Sequence, residues 1–487
     1  MMSQYITLHS TGLPILRQID ERLVSYNVEM TEVTGGTFWK AYTPGQIAGT
    51  EEFPKVDGWA AMASMMQYYP PIDLYSPKLR SLSKALGPAW VRVSGGWATD
   101  TYYDFDGHTN GKVPEGYKSV LTKEQWIGVL EFVKAVGGKL LTSMALPGGR
   151  WVPEQAKLLF DFSRDYGVPI DAVEYVNEPN VLGLTGNLPD NYPAIYAADQ
   201  DEFTRFVRKN YPKTLIVGPC ASVDAMRANT KNAQTQISAI PTAELIENAK
   251  EMPDVFSYHY YNGISERGAI MGGHWPVESA TSEEYLAVAP DCCRYYMPMR
   301  DQIVPGGQMW VTESGDAGCG GNTWASTYLD VIRTLNELGA FATLTDGIIF
   351  HNTLASSDYG YLQPEIFDPR PNYFAALLWT RLMGTTVYDA GSVSEGAHIF
   401  AHSRKDGKDG VAYLVINNSL TKTITVALPK EAEMYTLSAD ELRAPVMKLN
   451  GHDLVLGESN ALPVTEPVIA PAGSQELAPA TCTFIII

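Results

Sequence analysis

The chain has 487 residues and a formal net charge of −19, with apolar and charged fractions that are ordinary for a folded protein. This length exceeds what one hydrophobic core usually supports, so we expect a large domain and a smaller one. The acidic balance argues against nucleic acid and long polyanions as partners, because clustered Lys and Arg bind such molecules.

Cysteine usage and the N-terminus suggest a compartment. The five cysteines are scattered without a CxxC pair, and the eight histidines are also scattered, so we expect no disulfide framework, no metal and no cofactor. The N-terminus lacks a signal-peptide pattern, and no run of about 18 apolar residues occurs. We therefore expect a cytoplasmic protein without a membrane partner, unless a leader was removed, and the oligomeric state stays open.

The segment 21–384 is predicted to form a (β/α)8 barrel, an α/β fold, because strand-like apolar segments alternate with helical ones eight times. A helix is expected from Thr323 to Leu338, with Gly339 as its C-terminal stop, and the last barrel helix from about Asn372 to Met383. The strands are placed at 23–30, 89–93, 139–144, 172–176, 214–217, 255–259, 309–312 and 347–350.

From residue 385 to residue 487 the pattern changes to short β-rich stretches, such as 410–416 and 423–428. Short apolar strands of this kind predict a small antiparallel β-sandwich.

Two glutamates are expected at the ends of barrel strands. Strand four leads into Asn177-Glu178-Pro179, and strand seven leads into Glu313. Chemistry in such barrels lies at the C-terminal ends of the strands, so the two carboxylates should face one cleft. A pair of carboxylates is what glycoside hydrolysis needs, one to protonate the leaving oxygen and one to attack the anomeric carbon. An amide at Asn177 could bind the sugar 2-hydroxyl.

Strand six ends in Tyr258-His259-Tyr260-Tyr261. A tyrosine hydroxyl that reaches Glu313 would keep that carboxylate ionised and oriented, and His259 is a further candidate to support the pair. Alternate side chains of a strand face outward, so about half of these residues are expected to pack against helices instead. No GxSxG, HExxH, P-loop or GxGxxG motif points to another chemistry.

These motifs resemble glycoside hydrolase family 79, the heparanase and β-glucuronidase group of retaining barrels. The resemblance extends over most of the chain and is carried by four further stretches: Ser76-Pro-Lys-Leu-Arg-Ser-Leu82, Gly87-Pro-Ala-Trp-Val-Arg-Val-Ser-Gly-Gly96, Tyr258-His-Tyr-Tyr-Asn-Gly263 and the segment 367–384.

The resemblance implies a role for individual residues. Glu178 would be the acid/base, Glu313 the nucleophile, Tyr261 its support and Glu29 a contact to sugar hydroxyls. It also implies that residues 1–20 add a strand to the C-terminal sandwich.

One position departs from the family. The glucuronidases of the group have a tyrosine five residues after the nucleophile, which helps to hold the substrate carboxylate, and this chain has Gly318 there. Recognition of a uronate would then rest on the N–H groups of Gly320 and Gly321 and on Tyr359 or Tyr361. Trp97 and Trp324 are candidates to stack on the aglycone, with core packing as the alternative for each.

The expected function is that of a retaining exo-β-glycosidase that releases β-D-glucuronic acid from small glycosides. A neutral β-glucosidase, or an enzyme that releases a disaccharide from plant glycosides, is the first alternative. An endo-acting heparanase is disfavoured because sulfated sugars need a basic cleft. A non-catalytic sugar-binding barrel is disfavoured because both glutamates are present.

Overall fold

The computed structural model describes residues 4–56, 58–184, 188–228 and 235–487. Its strands are β1 (Gln4–Thr7), β2 (Ile15–Gln18), β3 (Val24–Glu29), β4 (Gly36–Trp39), β5 (Met66–Tyr69), β6 (Trp90–Ser94), β7 (Thr101–Asp104), β8 (Ser119–Thr122), β9 (Lys139–Ser143), β10 (Ala172–Glu174), β11 (Leu215–Ala221), β12 (Val255–Ile264), β13 (Met309–Gly318), β14 (Ile349–His351), β15 (Met383–Tyr388), β16 (His398–Arg404), β17 (Val411–Asn417), β18 (Ile424–Leu428), β19 (Ala432–Ser438), β20 (Lys448–Leu449), β21 (His452–Asp453), β22 (Val468–Ala470), β23 (Gly473–Leu477) and β24 (Thr481–Ile486). Its helices are α1 (Met30–Thr34), α2 (Pro44–Ala48), α3 (Trp59–Ala63), α4 (Pro77–Ala85), α5 (Lys123–Val136), α6 (Pro153–Tyr166), α7 (Tyr192–Asn210), α8 (Asp224–Ala228), α9 (Thr242–Ile246), α10 (Glu283–Ile303), α11 (Leu329–Leu344) and α12 (Pro371–Leu382).

Eight strands close into a barrel in the order β3-β6-β9-β10-β11-β12-β13-β14, and every neighbouring pair is parallel. The eight-stranded barrel predicted from the sequence is thereby confirmed. The fifth, sixth and seventh strands run further toward the C-terminal rim than predicted, ending at Ala221, Ile264 and Gly318.

The barrel interior is apolar at its base and polar above. Apolar side chains near the starts of the strands, among them Trp90, Leu141, Ala172 and Trp310, form one cluster. Since side chains alternate along a strand, the residue two positions after Trp90 also points inward. That residue is Arg92, which is fully buried. The base therefore supplies packing, and the layer above it supplies charge.

The C-terminal strands form two sheets with an apolar core between them. One sheet has the order β2-β15-β16-β17-β24-β19-β20-β21, with β22 also paired to β19, and the other has the order β1-β18-β23. Strand β17 shows why the fold is layered: Tyr413 and Val415 pack between the two sheets, while Leu414 and Ile416 pack on the barrel side.

The N-terminal strands lie in these same sheets, β1 parallel to β18 and β2 antiparallel to β15. The division of the chain at residues 20 and 384 stays a prediction. Residues 1–3 of the proposed N-terminal segment lie outside the described part of the chain.

Helix α11 differs from its predicted extent. Thr323 does not begin the helix, because its N–H and hydroxyl donate to the Glu266 carboxylate. Gly339 does not end it either. A Cβ atom built on Gly339 would lie 2.3 Å from the Phe400 ring, so the glycine allows close contact with the C-terminal sheet while the helix continues to Leu344. Helix α12, in contrast, lies within one residue of its predicted start and end.

Among the residues that the structure describes, no helix combines the length and the apolar character that crossing a membrane requires.

Candidate active site

A cavity of about 520 Å³ opens at the C-terminal ends of the barrel strands. Many of the residues singled out from the sequence lie in its wall: Glu29, Trp97, Asn177, Glu178, His259, Tyr261, Glu313 and Tyr359. Gly320, Gly321, Trp324 and Tyr361 are not among the described residues of this wall. The sequence therefore located the cavity, and about a third of its candidate residues lie elsewhere.

Glu313 faces the cavity because β13 contains an irregularity. Tyr258 pairs with Val311 and His259 with Glu313, so Thr312 is an extra residue opposite β12. One extra residue turns the following side chains to the other face of a strand. The Asn27 side chain donates to the Thr312 carbonyl over 3.0 Å and holds the irregularity in place.

The surroundings of Glu313 favour its anion. Arg92 Nη1 lies 3.1 Å from one carboxylate oxygen, and the Tyr261 hydroxyl donates to the other over 2.8 Å. Burial alone would raise the pKa of the Glu313 carboxyl. The Coulombic interactions with His259 and Arg92, together with the hydrogen bonds from Tyr261 and Arg92, outweigh burial and hold that pKa below its ordinary value.

Glu178 occupies an unusual backbone position just beyond β10. Its φ is +45°, a region that residues other than glycine rarely adopt and that recurs at functional sites. The turn after it is held by Asn180, whose amide donates to the Ser222 carbonyl over 2.7 Å and accepts from the Ser222 N–H over 3.1 Å. The Glu178 side chain remains 26% exposed, open to a substrate.

The two carboxylates meet at His259. Its Nδ1 lies 2.9 Å from Glu178 Oε1 and 3.5 Å from Glu313 Oε2. One oxygen of each carboxylate and one His259 ring nitrogen all lie within 4.8 Å of one another. This spacing is closer to the ~5–5.5 Å between the two carboxyl groups of retaining glycosidases than to the ~6.5–9.5 Å of inverting ones.

Arg92 connects the site from below, and the sequence reasoning missed it. Its guanidinium contacts the buried Glu174 through Nε, Glu313 through Nη1 and Asn177 Oδ1 through Nη2 at 2.7 Å. Burial opposes its charge, but Glu174 and Glu313 outweigh burial and raise its pKa. The available signal was an arginine at an inward position of a buried strand, next to Trp90.

Glu29 also lines the cavity, and its pKa is shifted in the opposite direction to that of Glu313. Burial, together with the negative charge of Glu313, raises the pKa of Glu29 well above its ordinary value. A Cβ atom on Gly95 would lie 1.6 Å from Glu29 Oε2, so the carboxyl occupies space that only glycine leaves free. That oxygen is buried without a partner in the described chain, as expected of a group that awaits a ligand.

Of the two tyrosines considered for binding a substrate carboxylate, Tyr359 belongs to the described cavity wall and Tyr361 does not. Asn352 Nδ2 donates to the Tyr261 hydroxyl over 2.9 Å and to the Tyr359 hydroxyl over 3.2 Å, so both phenols face the cavity. Tyr361 instead stacks on the buried His351 ring at a centroid distance of 3.8 Å. Asn352 is a second residue that the sequence reasoning missed.

The turn after β13 does not present its glycines to a ligand in the way expected. The Gly321 N–H donates to the Ala317 carbonyl over 3.1 Å. A Cβ atom on Gly320 would lie 2.7 Å from the Trp39 ring, so this glycine permits close packing. Of the residues at the end of β13 and in the turn after it, Gly318 and Cys319 belong to the described cavity wall.

Arg267 braces this turn from behind. Its guanidinium donates to the carbonyls of Cys319 over 3.2 Å, of Gly321 over 3.0 Å and of Lys40 over 2.7 Å. It also forms a buried ion pair with Asp358. One side chain thereby joins the loops that carry Trp39, Cys319 and Tyr359.

The two candidate tryptophans, Trp97 and Trp324, have different environments. Trp97 lines the cavity, with its ring edge-on to Phe38 at 4.9 Å between centroids. Trp324 is buried, with the His274 ring 6.4 Å away, so core packing is the correct interpretation for it.

Two groups of described side chains have ligand atoms near enough to hold a metal ion: Glu178 with His259 and Glu313, and Asp104 with Asp106 and His108. In the first group, Arg92 and Tyr261 already donate hydrogen bonds to the Glu313 carboxylate. His259 Nδ1 lies within hydrogen-bond distance of Glu178 Oε1. In the second, the His108 and Thr109 N–H groups donate to Asp104. The expected lack of a metal stays a prediction.

No protein-family model matches the chain. Heparanase-like protein 1 of Arabidopsis thaliana is 24% identical over 85% of this chain and 85% of its own. Mouse heparanase is 22% identical over 84% of each chain. Baicalin-β-D-glucuronidase of Scutellaria baicalensis is 32% identical, over 36% of this chain and 35% of its own.

Solved structures share the fold. A 4-O-α-L-rhamnosyl-β-D-glucuronidase of Fusarium oxysporum superposes with a TM-score of 0.65 over 99% of this chain and all of its own, at 12% identity. A family 51 arabinofuranosidase of Xanthomonas axonopodis gives 0.61 at 14% identity. The curated relatives confirm the resemblance to the heparanase and β-glucuronidase group, and the solved structures confirm the fold.

Proposed function

We propose that this chain, a glycoside hydrolase related to the heparanases of family 79, is a retaining exo-β-glycosidase that releases β-D-glucuronic acid from small glycosides. The observation that carries the proposal is the placement of Glu178 and Glu313, whose carboxylate oxygens lie within 4.8 Å of each other around His259 Nδ1.

The geometry supports a double displacement. Glu313, held as an anion, attacks the anomeric carbon while Glu178 donates its proton to the leaving oxygen, which breaks the glycosidic bond and forms a glycosyl ester. Glu178, now a carboxylate, then takes a proton from water, and that water cleaves the ester with a second inversion. Asn177, oriented by Arg92, is placed to bind the 2-hydroxyl of the sugar.

Two features support a glucuronide as the substrate. The neutral form of Glu29 and the Tyr359 hydroxyl are hydrogen-bond donors on the cavity wall, and a substrate carboxylate needs several such donors. Two of the similar proteins are glucuronidases by name. The strong negative net charge and an acidic cavity argue against long sulfated chains as substrates.

A neutral glycoside is the second candidate. The described residues of the cavity wall include no Lys or Arg, and Gly318 replaces the expected tyrosine. Because an unpaired buried carboxylate costs a few kcal/mol, the two sugars should differ by about a thousandfold in kcat/KM, in one direction or the other.

A pair of p-nitrophenyl substrates tests the sugar. We expect the β-glucuronide to be cleaved far faster than the β-glucoside. Tyr359→Phe should lower kcat/KM selectively for the glucuronide, whereas Tyr361→Phe, a matched change at a buried tyrosine outside the wall, should affect neither sugar. Equal or reversed rates on the two sugars would favour the neutral glycosidase and leave the catalytic pair unchanged.

The roles of the carboxylates are tested separately. Glu313→Ala should abolish turnover of every substrate. Glu178→Ala should retain cleavage of substrates with good leaving groups, and azide should restore activity with a β-glycosyl azide as the product. Proton NMR should show the β anomer as the first-formed sugar, and an α product would remove the nucleophile assignment.

A further inference from the structure

We propose that the part of the cavity in front of Glu178 is a binding site for flat, apolar aromatic aglycones, and not for a second sugar. The proposal rests on the proposed glycosidase function and specifies the chemical class of the leaving group. Its basis is the composition of the cavity wall around the residue that would protonate the leaving oxygen.

Much of the cavity wall that contains Glu178 is apolar. The chain after Glu178 contributes Val181 and Leu184, and the segments that follow contribute Met226, Ile237 and Met271. Because Glu178 would protonate the bond to the aglycone, the side chains around it are the ones that the aglycone must contact.

The apolar surface continues across the cavity. Phe38, Trp39 and Met62 belong to the same hydrophobic cluster as Met271, with Met66, Trp97, Met226 and Ile237 packed against it. The leaving group would therefore lie in a continuous apolar channel. Burial of apolar surface is the main favourable contribution that such a channel can make to binding.

Polar partners are scarce among the described residues of this wall. Apart from the acidic residues, Asn177, His259, Tyr261, Asn352 and Tyr359, the polar side chains of the described wall are Ser222, the indoles of Trp39 and Trp97, and Tyr260, whose hydroxyl bonds to Asn262. A sugar in the leaving-group position would bring several hydroxyls into the channel, and each hydroxyl without a partner has a cost. An aromatic ring brings no such groups.

The methionines of the cavity wall should allow aglycones of different shape to bind. Met62, Met66, Met226 and Met271 all line the channel. Methionine side chains are flexible and polarizable, and they make favourable sulfur–aromatic contacts. We therefore expect the site to accept flat rings of different size and substitution, with the sugar and not the aglycone as the strict determinant.

A comparison of phenyl and 2-naphthyl β-glucuronides, and of the matching β-glucosides, tests the proposal, since the two phenols are of similar acidity. We expect kcat/KM to be about tenfold higher for the naphthyl compound, through a lower KM, because the second ring buries more apolar surface. Met226→Gln and Met66→Gln should reduce this ratio to about two or less. Met252→Gln changes a half-buried methionine outside the cavity and should preserve it.

A binding measurement separates this proposal from the catalytic one. Calorimetric titration of the free phenols should show 2-naphthol bound about tenfold more tightly than phenol, with the difference lost in Met226→Gln and kept in Met252→Gln. If this pattern appears but no aryl glycoside is hydrolysed, the proposed function fails and the aromatic site stands. Equal binding of the two phenols, or a lower KM for a β-linked disaccharide than for the naphthyl glycoside, would overturn the aromatic site.

Discussion

Individual side chains set the protonation of the cavity in opposite directions. A tyrosine hydroxyl and a guanidinium donate to Glu313 and help to lower its pKa, whereas burial and the negative charge of Glu313 raise the pKa of Glu29. Groups whose environments separate their pKa values are typical of sites with acid and base roles. Under the proposed function, one residue type would therefore supply both a nucleophile, Glu313, and a hydrogen-bond donor, Glu29.

Removal of one hydrogen bond should move the pH profile. Tyr261→Phe deletes a donor to the Glu313 carboxylate, so the pKa of Glu313 should rise. Since activity falls as pH drops through that pKa, the acid limb of kcat/KM against pH should shift to higher pH. The rate at neutral pH should fall by about 10- to 100-fold, as expected for a hydrogen bond to a charged group. An unchanged acid limb would contradict this role of Tyr261.

A single methyl group should disable Glu29. Gly95→Ala would place a Cβ atom 1.6 Å from Glu29 Oε2 and should lower kcat/KM by at least about 100-fold, because the carboxyl must leave its position. Gly87→Ala is the matched control: its φ is +90°, against +92° at Gly95, and nothing lies within 4 Å of its Cβ position.

Both variants should lose about 1–2 kcal/mol of stability from backbone strain, measured by chemical denaturation. Retained activity in Gly95→Ala, or an equal loss of activity in Gly87→Ala, would show that the position of Glu29 does not depend on this contact.

At the scale of elements, α11 is the helix that joins the two parts of the fold. Almost all of its residues are buried, and its charged side chains pair within the helix: Arg333 binds Asp330 with two nitrogens at 2.6 and 3.0 Å and Glu337 at 2.5 Å. A helix that is buried all round is typical of a protein interior. The ion cluster replaces the contacts with water that an outer barrel helix would make.

Breaking this cluster should be costly. Arg333→Leu leaves two buried carboxylates without their partner and should lower the free energy of unfolding by about 3–5 kcal/mol. Arg294→Leu removes an exposed pair with Asp291 at the same i,i+3 spacing and should cost about 0.5 kcal/mol or less. Urea denaturation of both variants measures the difference. Equal losses of unfolding free energy would contradict the prediction that the buried cluster stabilises the protein more than an exposed ion pair does.

The elements show what the sequence could and could not predict. Apolar runs located all eight barrel strands, and the strand-end rule placed Glu178 and Glu313 in one cavity. The irregularity at Thr312, the passage of α11 through Gly339 and the bracing by Arg267 depend on contacts between residues far apart in the chain. Gly320 and Gly321 were expected to bind a ligand because glycine allows backbone approach, and here the approaching groups are Trp39 and Tyr359.

At the scale of the whole molecule, the two ends of the chain share one core. Leu8 and Ile6 pack with Val426, Val415 and Ile485 between the two C-terminal sheets. Strand β1 is therefore a structural part of the C-terminal sheets, and its side chains contribute to a core that shares no described residue with the wall of the candidate active site.

This arrangement predicts a stability effect near the N-terminus. Leu8→Ala, at a side chain only 1% exposed, should lower the free energy of unfolding by about 2–5 kcal/mol because it leaves a cavity in the core. Leu16→Ala, at a leucine 41% exposed in β2, should have an effect within about 0.5 kcal/mol. Neither should change KM, and a stable Leu8→Ala variant would indicate that β1 is dispensable.

The pairing of β1 with β18 also sets the order in which the protein can mature on the ribosome. His9 hydrogen-bonds to Tyr413, which is 404 positions further along the chain. Domains generally fold as they emerge, N-terminal first, but here β1 has no partner strand until β18, at Ile424–Leu428, has been translated. The face of α11 that packs against the C-terminal sheet likewise lacks this contact until the strands of that sheet have been translated. Chains that stop before β18 would therefore leave apolar surface exposed at both places.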